Sequence, residues 1–270
     1  MIFKETDKYT LMLGDVLNCL KDIPSRSVDC IFTSPPYNID LGKRKDTNIA
    51  TYDSWDDNMS WRDYVDWQIE ILDECYRILK DGGVLFYQHK DKFKNEEFHS
   101  PYEILRESYF KIKQNIIWNR TSAMSYNAGM FGDVYENVYW CYKGESIKTK
   151  TNHNVLGTIW TIDIERNNDH PAPFPLELPL RAIFSMYDEE EGKVICDIFN
   201  GSGTTGVASL LLNHKYIGID ISENYLTSSV NRLDNYMREA DRAQKEIDLH
   251  YVKSPYVGKK VANQITFFDM

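Results

Sequence analysis

Two short stretches of this chain place side by side the residue types that a group-transfer site needs. The first is Ser34-Pro35-Pro36-Tyr37, which follows the apolar run 28–32. Two successive prolines fix the backbone and remove two amide donors, so the local carbonyls stay outside any regular ladder. Stiff carbonyls beside the Ser34 hydroxyl can accept hydrogen bonds from an amino group. The Tyr37 ring offers a face for a planar heterocycle, an interaction of roughly 1 to 3 kcal/mol in nucleic-acid sites. A proline turn beside an aromatic is also a common structural device, so this stretch alone does not assign a site. The second stretch, Asp197-Ile198-Phe199-Asn200-Gly201-Ser202-Gly203-Thr204, joins an apolar strand pattern to a small-residue helix through a glycine turn. Glycines let the backbone approach a ligand closely, and free amides at a helix start can solvate a polar or anionic group. A further apolar run, Tyr216-Ile217-Gly218-Ile219, ends in Asp220, a carboxylate suited to ribose hydroxyls. Together these features describe a nucleotide-type cofactor site.

Positioning those stretches requires a sheet. Apolar runs bounded by turn residues at 9–13, 28–32, 84–87, 115–118, 138–142, 194–199 and 216–219 predict buried strands. Residues 60–79 carry Tyr64, Trp67, Ile71, Leu72, Cys75 and Leu79 at helical spacing and are expected to stop at Asp81-Gly82-Gly83. Further helices are expected over 204–212 and 223–240. Alternating strands and helices imply an α/β fold built on a parallel sheet. Residues 39–58 and 143–169 are polar or weakly periodic and read as long loops, candidates for contacting a large substrate.

Of the 270 residues 42% are hydrophobic and 27% charged, enough for a real core, which excludes general disorder. No run approaches the roughly 20 apolar residues of a membrane helix and the start lacks a signal-peptide core, so a cytoplasmic chain is expected. Cys19, Cys30, Cys75, Cys141 and Cys196 are scattered without a C-x-x-C pair, which predicts reduced, mostly buried thiols rather than a zinc site or disulfide frame. A net charge of -10 argues against phosphate binding by the chain as a whole. Basic residues nonetheless gather at Lys43-Arg44-Lys45, 111–120 and 143–150, either as a positive face or as ordinary solvated charge.

Taken literally, Gly201-x-Gly203-x-x-Gly206 followed by Asp220 matches a dinucleotide fingerprint, so an NAD-dependent oxidoreductase is the rival reading. The motif begins about three-quarters of the way along the chain, leaving too little sequence after Asp220 for the rest of a dinucleotide domain. The other strands must come from the N-terminal side.

The two stretches together resemble the amino-methyltransferases of DNA, in which (Asp/Asn/Ser)-Pro-Pro-(Tyr/Phe) is catalytic and Phe-x-Gly-x-Gly binds S-adenosylmethionine. Their order here, catalytic motif first, resembles the permuted beta group, and the likeness runs over about residues 9–233. It implies a Rossmann-like, circularly permuted α/β fold with a mostly parallel seven-stranded sheet flanked by helices. It implies one catalytic domain over 1–250, DNA-contacting insertions at 39–58 and 143–169, and a tail at 251–270. By the resemblance Ser34, Pro35, Pro36 and Tyr37 are catalytic. The cofactor set is Asp15, Phe174, Asp197, Phe199, Asn200, Gly201, Ser202, Gly203, Thr204 and Asp220, with no metal. Leu13-Gly14-Asp15 resembles the adenine-ring contact, Asp220 the ribose contact, and His170-Pro171-Ala172-Pro173-Phe174-Pro175 the segment closing over the methionine end. Ser-Pro-Pro-Tyr is commoner among cytosine-N4 enzymes, so cytosine N4 is the expected target and adenine N6 the alternative. Carbon-5 chemistry needs a nucleophilic Cys, usually after Pro, and the sequence holds no Pro-Cys pair. The expected partner is double-stranded DNA; a second subunit or another chain could complete the DNA clamp, and a restriction endonuclease partner is left open. Gln264-Ile265-Thr266-Phe267-Phe268 resembles the peptides that dock on a replication sliding clamp, the alternative being a terminal apolar segment packed on its own domain.

Overall fold

The computed structural model describes residues 1–38, 58–94, 96–121, 130–150, 157–165, 173–188 and 190–250. The expected loop at 39–58 and the tail at 251–270 therefore lie almost wholly outside the described residues, as do Lys43-Arg44-Lys45. In chain order come β1 (Ile2–Glu5), β2 (Tyr9–Leu13), α1 (Val16–Lys21), β3 (Val28–Thr33), α2 (Trp61–Ile78), β4 (Leu79–His89), β5 (Lys92–Lys94) and β6 (Glu97–His99). Then follow α3 (Pro101–Glu107), β7 (Lys111–Asn119), β8 (Tyr135–Tyr142), β9 (Ile159–Thr161), α4 (Glu177–Tyr187), β10 (Val194–Asp197), α5 (Thr204–Leu211), β11 (Lys215–Asp220), α6 (Glu223–Asp234) and α7 (Ala240–His250).

Burial on both faces explains the apolar runs. Cys30 and Phe32 of β3 point into one core with α4, α5, α6 and α7, while Ile31 between them points into the other with α1, α2 and α3. A strand covered on both sides reads as a continuous apolar run rather than an alternation. The nine strands of the main sheet lie in the order β1-β2-β11-β10-β3-β4-β8-β7-β9. Strands β2, β11, β10, β3 and β4 run parallel, and β8 pairs antiparallel with both β4 and β7. All seven expected strands are present, and the short strands β1 and β9 extend the sheet at its two edges. A separate hairpin pairs β5 with β6.

Two expectations about helices are corrected. Ser60 caps α2 as its spacing suggests, its side chain accepting from the Asp63 amide, but the helix passes straight into β4 at Leu79. The Gly82-Gly83 pair therefore lies inside a strand, where Gly82 at φ +78° bends it and both glycines pair with Lys143. The helix expected over 223–240 is broken after Asp234, where the Asn235 side chain turns back, its Nδ2 donating to the Asn231 carbonyl at 2.9 Å, and competes with the helical ladder.

Helix α5 lies close against β11. A Cβ on Gly206 would come within 2.6 Å of Tyr216 Cε1 and 2.7 Å of Leu233 Cδ2. Alanine is favoured over glycine inside a helix by about 1 kcal/mol, whereas overpacking costs about 1 to 3 kcal/mol, so packing decides the sign. Gly206→Ala is expected to lower the thermal midpoint by a few degrees; an unchanged or raised midpoint in a melting experiment would contradict this packing account.

Candidate active site

From β10 the chain returns through α5 to β11 on one side, and from β3 through α2 to β4 on the other, with the two helices on opposite faces. The order reverses between β10 and β3. In open α/β sheets ligands bind at the carboxyl ends of strands at such a switch point. A cleft of about 980 Å³, measured out to its open mouth, lies there. Its walls bring together Ser34, Pro35, Pro36 and Tyr37 with Asp15, Phe174, Phe199, Asn200, Gly201, Ser202, Thr204 and Asp220. Asp197 and Gly203 do not line it.

The Ser-Pro-Pro-Tyr loop is braced from beneath. The Tyr64 hydroxyl of α2 donates to the Pro36 carbonyl at 2.8 Å and contacts His89 Nε2 at 2.6 Å. The His89 ring lies 4.6 Å from the Tyr37 ring at 23°, covering one of its faces. Since the Lys90 amide donates to His89 Nδ1 at 2.7 Å, the proton of the neutral ring belongs on Nε2. Burial holds His89 neutral by pushing its pKa down to about 3. The Tyr37 hydroxyl donates to Glu136 at 2.9 Å and stands 2.9 Å from Ser34 Oγ. Asn38, at φ +57°, closes the loop by exchanging hydrogen bonds with Met59.

On the opposite wall the glycine turn departs from the expected anion cradle. The Gly201 amide donates to Asp220 Oδ2 at 2.7 Å and the Gly203 amide to the Asn200 carbonyl at 2.9 Å, so neither is free for a phosphate. Gly203 serves packing instead: at φ +79° it caps α5, and a Cβ there would collide with Ser229. Asp197 lies behind the wall, accepting from Thr33 Oγ1 at 2.9 Å, Thr205 Oγ1 at 2.8 Å and the Phe199 amide at 3.1 Å. Asp15 lines the cleft and also caps α1, accepting from the Asn18 amide at 3.1 Å. Asp15 and Asp220 are the charged side chains of the described wall, which includes no Lys, Arg or His. Among the described residues the wall carries two carboxylates, and with the Gly201 and Gly203 amides engaged it suits a cationic sulfonium cofactor with ribose hydroxyls better than a dinucleotide pyrophosphate.

A family model for N6/N4 DNA methylases matches residues 28–231. The chain belongs to the N6/N4 DNA methylase family. It is 29% identical over 259 residues to the DNA adenine methyltransferase YhdJ of Escherichia coli K12, covering 83% of this chain and 82% of that protein. It is 28% identical over 285 residues to the type II methyltransferase M.HinfI of Haemophilus influenzae, covering 96% of this chain and 77% of that one. The fold is shared with the PvuII DNA methyltransferase (cytosine-N4-specific), with a TM-score of 0.68 at 20% identity over 90% of this chain and 96% of that one.

Several wall residues of this methylase escaped sequence reasoning: Trp67 from α2, whose ring lies 6.0 Å from Phe199, and Ser222 and Tyr225 at the start of α6. Arg232 is a further omission; its guanidinium holds the turn from behind through the Ser202 carbonyl and Oγ at 3.1 Å each and Thr204 Oγ1 at 3.0 Å. Two basic residues from the expected positive clusters are structural. Arg120 is buried, and Lys143 Nζ donates to the Tyr76 and Leu79 carbonyls at 2.7 Å each, satisfying the end of α2. All five cysteines are free and buried, and burial raises the thiol pKa of Cys30, Cys75, Cys141 and Cys196, so none of these four is a ready nucleophile.

Stability should depend on pH through three of these buried groups. Burial lowers His89 to about 3 and His214 to about 4 from an ordinary 6.5. Such groups stabilise fully above the unfolded pKa, and the contribution is lost as pH falls toward the folded one. Burial raises Asp197 to about 6, which acts in the opposite direction below that pH. Two histidines outweigh one aspartate, so the unfolding free energy at pH 5 is expected to lie about 2 to 3 kcal/mol below that at pH 7. Denaturant titrations at the two pH values check this, and His89→Gln should show a smaller drop; an equal drop in that variant would contradict the assignment to His89.

Proposed function

We propose that the cleft binds S-adenosylmethionine between the glycine turn and the Ser-Pro-Pro-Tyr loop and methylates the exocyclic amino group of a base in DNA, with cytosine N4 as target. The observation that carries this reading is the meeting of the two motifs across one cleft whose described charged residues are carboxylates. Asp220 and Asp15 would hold the ribose and adenine ends, Phe174 would cover the methionine end, and Phe199, Asn200, Gly201, Ser202 and Thr204 would form the floor. When bound, the cofactor would supply a methyl, the C–S electron pair staying with sulfur as the amino nitrogen forms the new N–C bond and loses one proton to solvent water.

Everything else is positioning. The target nucleotide leaves the stack, and its base is received against the Tyr37 ring of the catalytic loop. Tyr64 already occupies the Pro36 carbonyl, so the amino hydrogens are received by Ser34 Oγ and the Pro35 carbonyl. Those two acceptors orient the nitrogen lone pair, and such placement can supply about 7 to 11 kcal/mol of a barrier. Adenine N6 is the second reading, favoured by the match to a relative named as an adenine methyltransferase across 82% of its length.

The proposal extends to partners and place. A single catalytic unit over 1–250 would contact DNA with residues 39–58 and 143–169, and a second copy of the chain would complete the grip. The match to a type II methyltransferase supports an endonuclease of the same specificity as partner. Docking on a sliding clamp would use Gln264 to Phe268, outside the described residues. No helix among the described residues is long and apolar enough to cross a membrane, which is compatible with action in the cytoplasm.

Ser34→Ala and Tyr37→Ala are each expected to abolish methyl transfer to plasmid DNA while cofactor binding, measured by calorimetry, persists. Full transfer in both variants would sink the assignment. Mass spectrometry of the nucleosides from DNA methylated by the wild type identifies the base.

A further inference from the structure

A serine in the position where an aspartate also occurs poses a chemical problem. A carboxylate can only accept from an amino group, whereas a hydroxyl can present either its proton or its lone pairs. If Ser34 turned its proton toward the base, it would compete for the nitrogen lone pair that must attack.

The hydrogen bonds around Glu136 of β8 resolve the direction. Three donors converge on this buried carboxylate: Tyr37 Oη and Gln88 Nε2 reach Oε2, and Arg120 Nη1 reaches Oε1, all at 2.9 Å. Arg120 is itself anchored on the Asp133 carbonyl at 2.6 Å. A tyrosine hydroxyl has one proton, and Tyr37 gives it to Glu136. The 2.9 Å contact between Ser34 Oγ and Tyr37 Oη must then be donated by Ser34. With its proton committed inward, Ser34 offers only lone pairs to the cleft.

We propose that Glu136 is a positioning residue that acts through Tyr37 to hold Ser34 as a hydrogen-bond acceptor for the base amino group. The inference rests on the amino-methyltransferase reading above. The energetics agree with a functional role, because a buried ion pair is weak evidence for stability: apolar replacements of similar volume are often neutral or stabilising by about 1 to 4 kcal/mol. Arg120 and Glu136 are both buried, and their pair touches the hydroxyl of the catalytic loop. Gln88 adds a neutral donor to the same oxygen, so the carboxylate has no freedom to turn away from Tyr37.

Glu136→Gln alone would leave the buried Arg120 charge only the Asp133 carboxylate at 3.6 Å, so the test replaces the pair together, Glu136→Leu with Arg120→Met, in two backgrounds, wild type and Ser34→Asp. Steady-state methyl transfer to DNA is measured with full-length protein, alongside Tyr37→Phe, which keeps the ring and removes only the hydroxyl. In the Ser34 background the paired replacement and Tyr37→Phe should each lower kcat by about 10- to 100-fold with KM for DNA and cofactor held within about twofold. An aspartate needs no help to accept, so whatever kcat the Ser34→Asp background shows, the paired replacement there should change it by less than about twofold.

Equal losses in both backgrounds or full kcat in Tyr37→Phe would each overturn the proposal. If the paired replacement does not fold, or Ser34→Asp transfers no methyl, the Tyr37→Phe result decides alone. Wild-type protein that transfers no methyl to any base amino group would instead overturn the functional reading on which this inference rests, so the two failures are distinguishable.

Discussion

Asp197 sits buried at the carboxyl end of β10 and receives hydrogen bonds from both halves of the site. Thr33, the residue before Ser34, donates from 164 positions away in the sequence, while the Phe199 amide and Thr205 hydroxyl belong to the glycine turn and α5. The cleft depends on this junction. The register of β10 on β3, Ile195 opposite Cys30 and Cys196 opposite Ile31, brings the two loops out at one edge of the sheet. Register alone sets their spacing only to the tolerance of a strand, and the shared carboxylate removes the remaining freedom. Three donors favour the ionised form and burial opposes it more strongly, leaving the pKa near 6. The group has the features of a structural fastening, with every contact made inside the protein.

The charge pattern follows from the same economy of contacts. The turn amides that would cradle a phosphate in a dinucleotide enzyme are spent on Asp220 and Asn200, and the described wall carries acids without a balancing base. Both features fit a cofactor that brings its own positive charge. On the other wall, buried polar groups are organised in series. His89 and Tyr64 fix the prolines, and Glu136, Gln88 and Arg120 fix Tyr37. A loop that must hold an amino nitrogen within a fraction of an ångström of a methyl cannot rely on solvent-exposed contacts, since a displacement of about 1 Å can reduce rates on the order of a hundredfold.

Much of the fold was legible because doubly covered strands announce themselves. The runs at 28–32 and 84–87 have no alternation to interpret, and β2 occupies residues 9–13 as expected. The two motifs of the cleft were legible because proline pairs and glycine turns restrict backbone conformation locally. What was hidden depends on distant partners. Glu136 lies within the sequence Tyr135-Glu136-Asn137-Val138, where a polar residue in a strand normally marks the solvent side, yet it is buried because β8 runs beneath the catalytic loop. Arg120 and Lys143 were read as part of a positive face or as solvated charge, and nothing local signals that Arg120 ends on a carbonyl and a carboxylate and Lys143 on two carbonyls. Asp197 was assigned to the cofactor because a strand-end acid beside a glycine turn has two uses, and only the position of Thr33 tells them apart.

The buried Thr33–Asp197 bond sets the catalytic loop against the cofactor turn, and Thr33→Val removes that bond alone. The substitution removes the hydroxyl while leaving both loops, the glycine turn and the other two donors to Asp197 in place. Steady-state methyl transfer and calorimetric cofactor binding should be measured together on the same protein. A fall in kcat of about tenfold or more is expected, with the cofactor Kd changed by less than about twofold. An unchanged kcat in a protein that binds cofactor normally would contradict it.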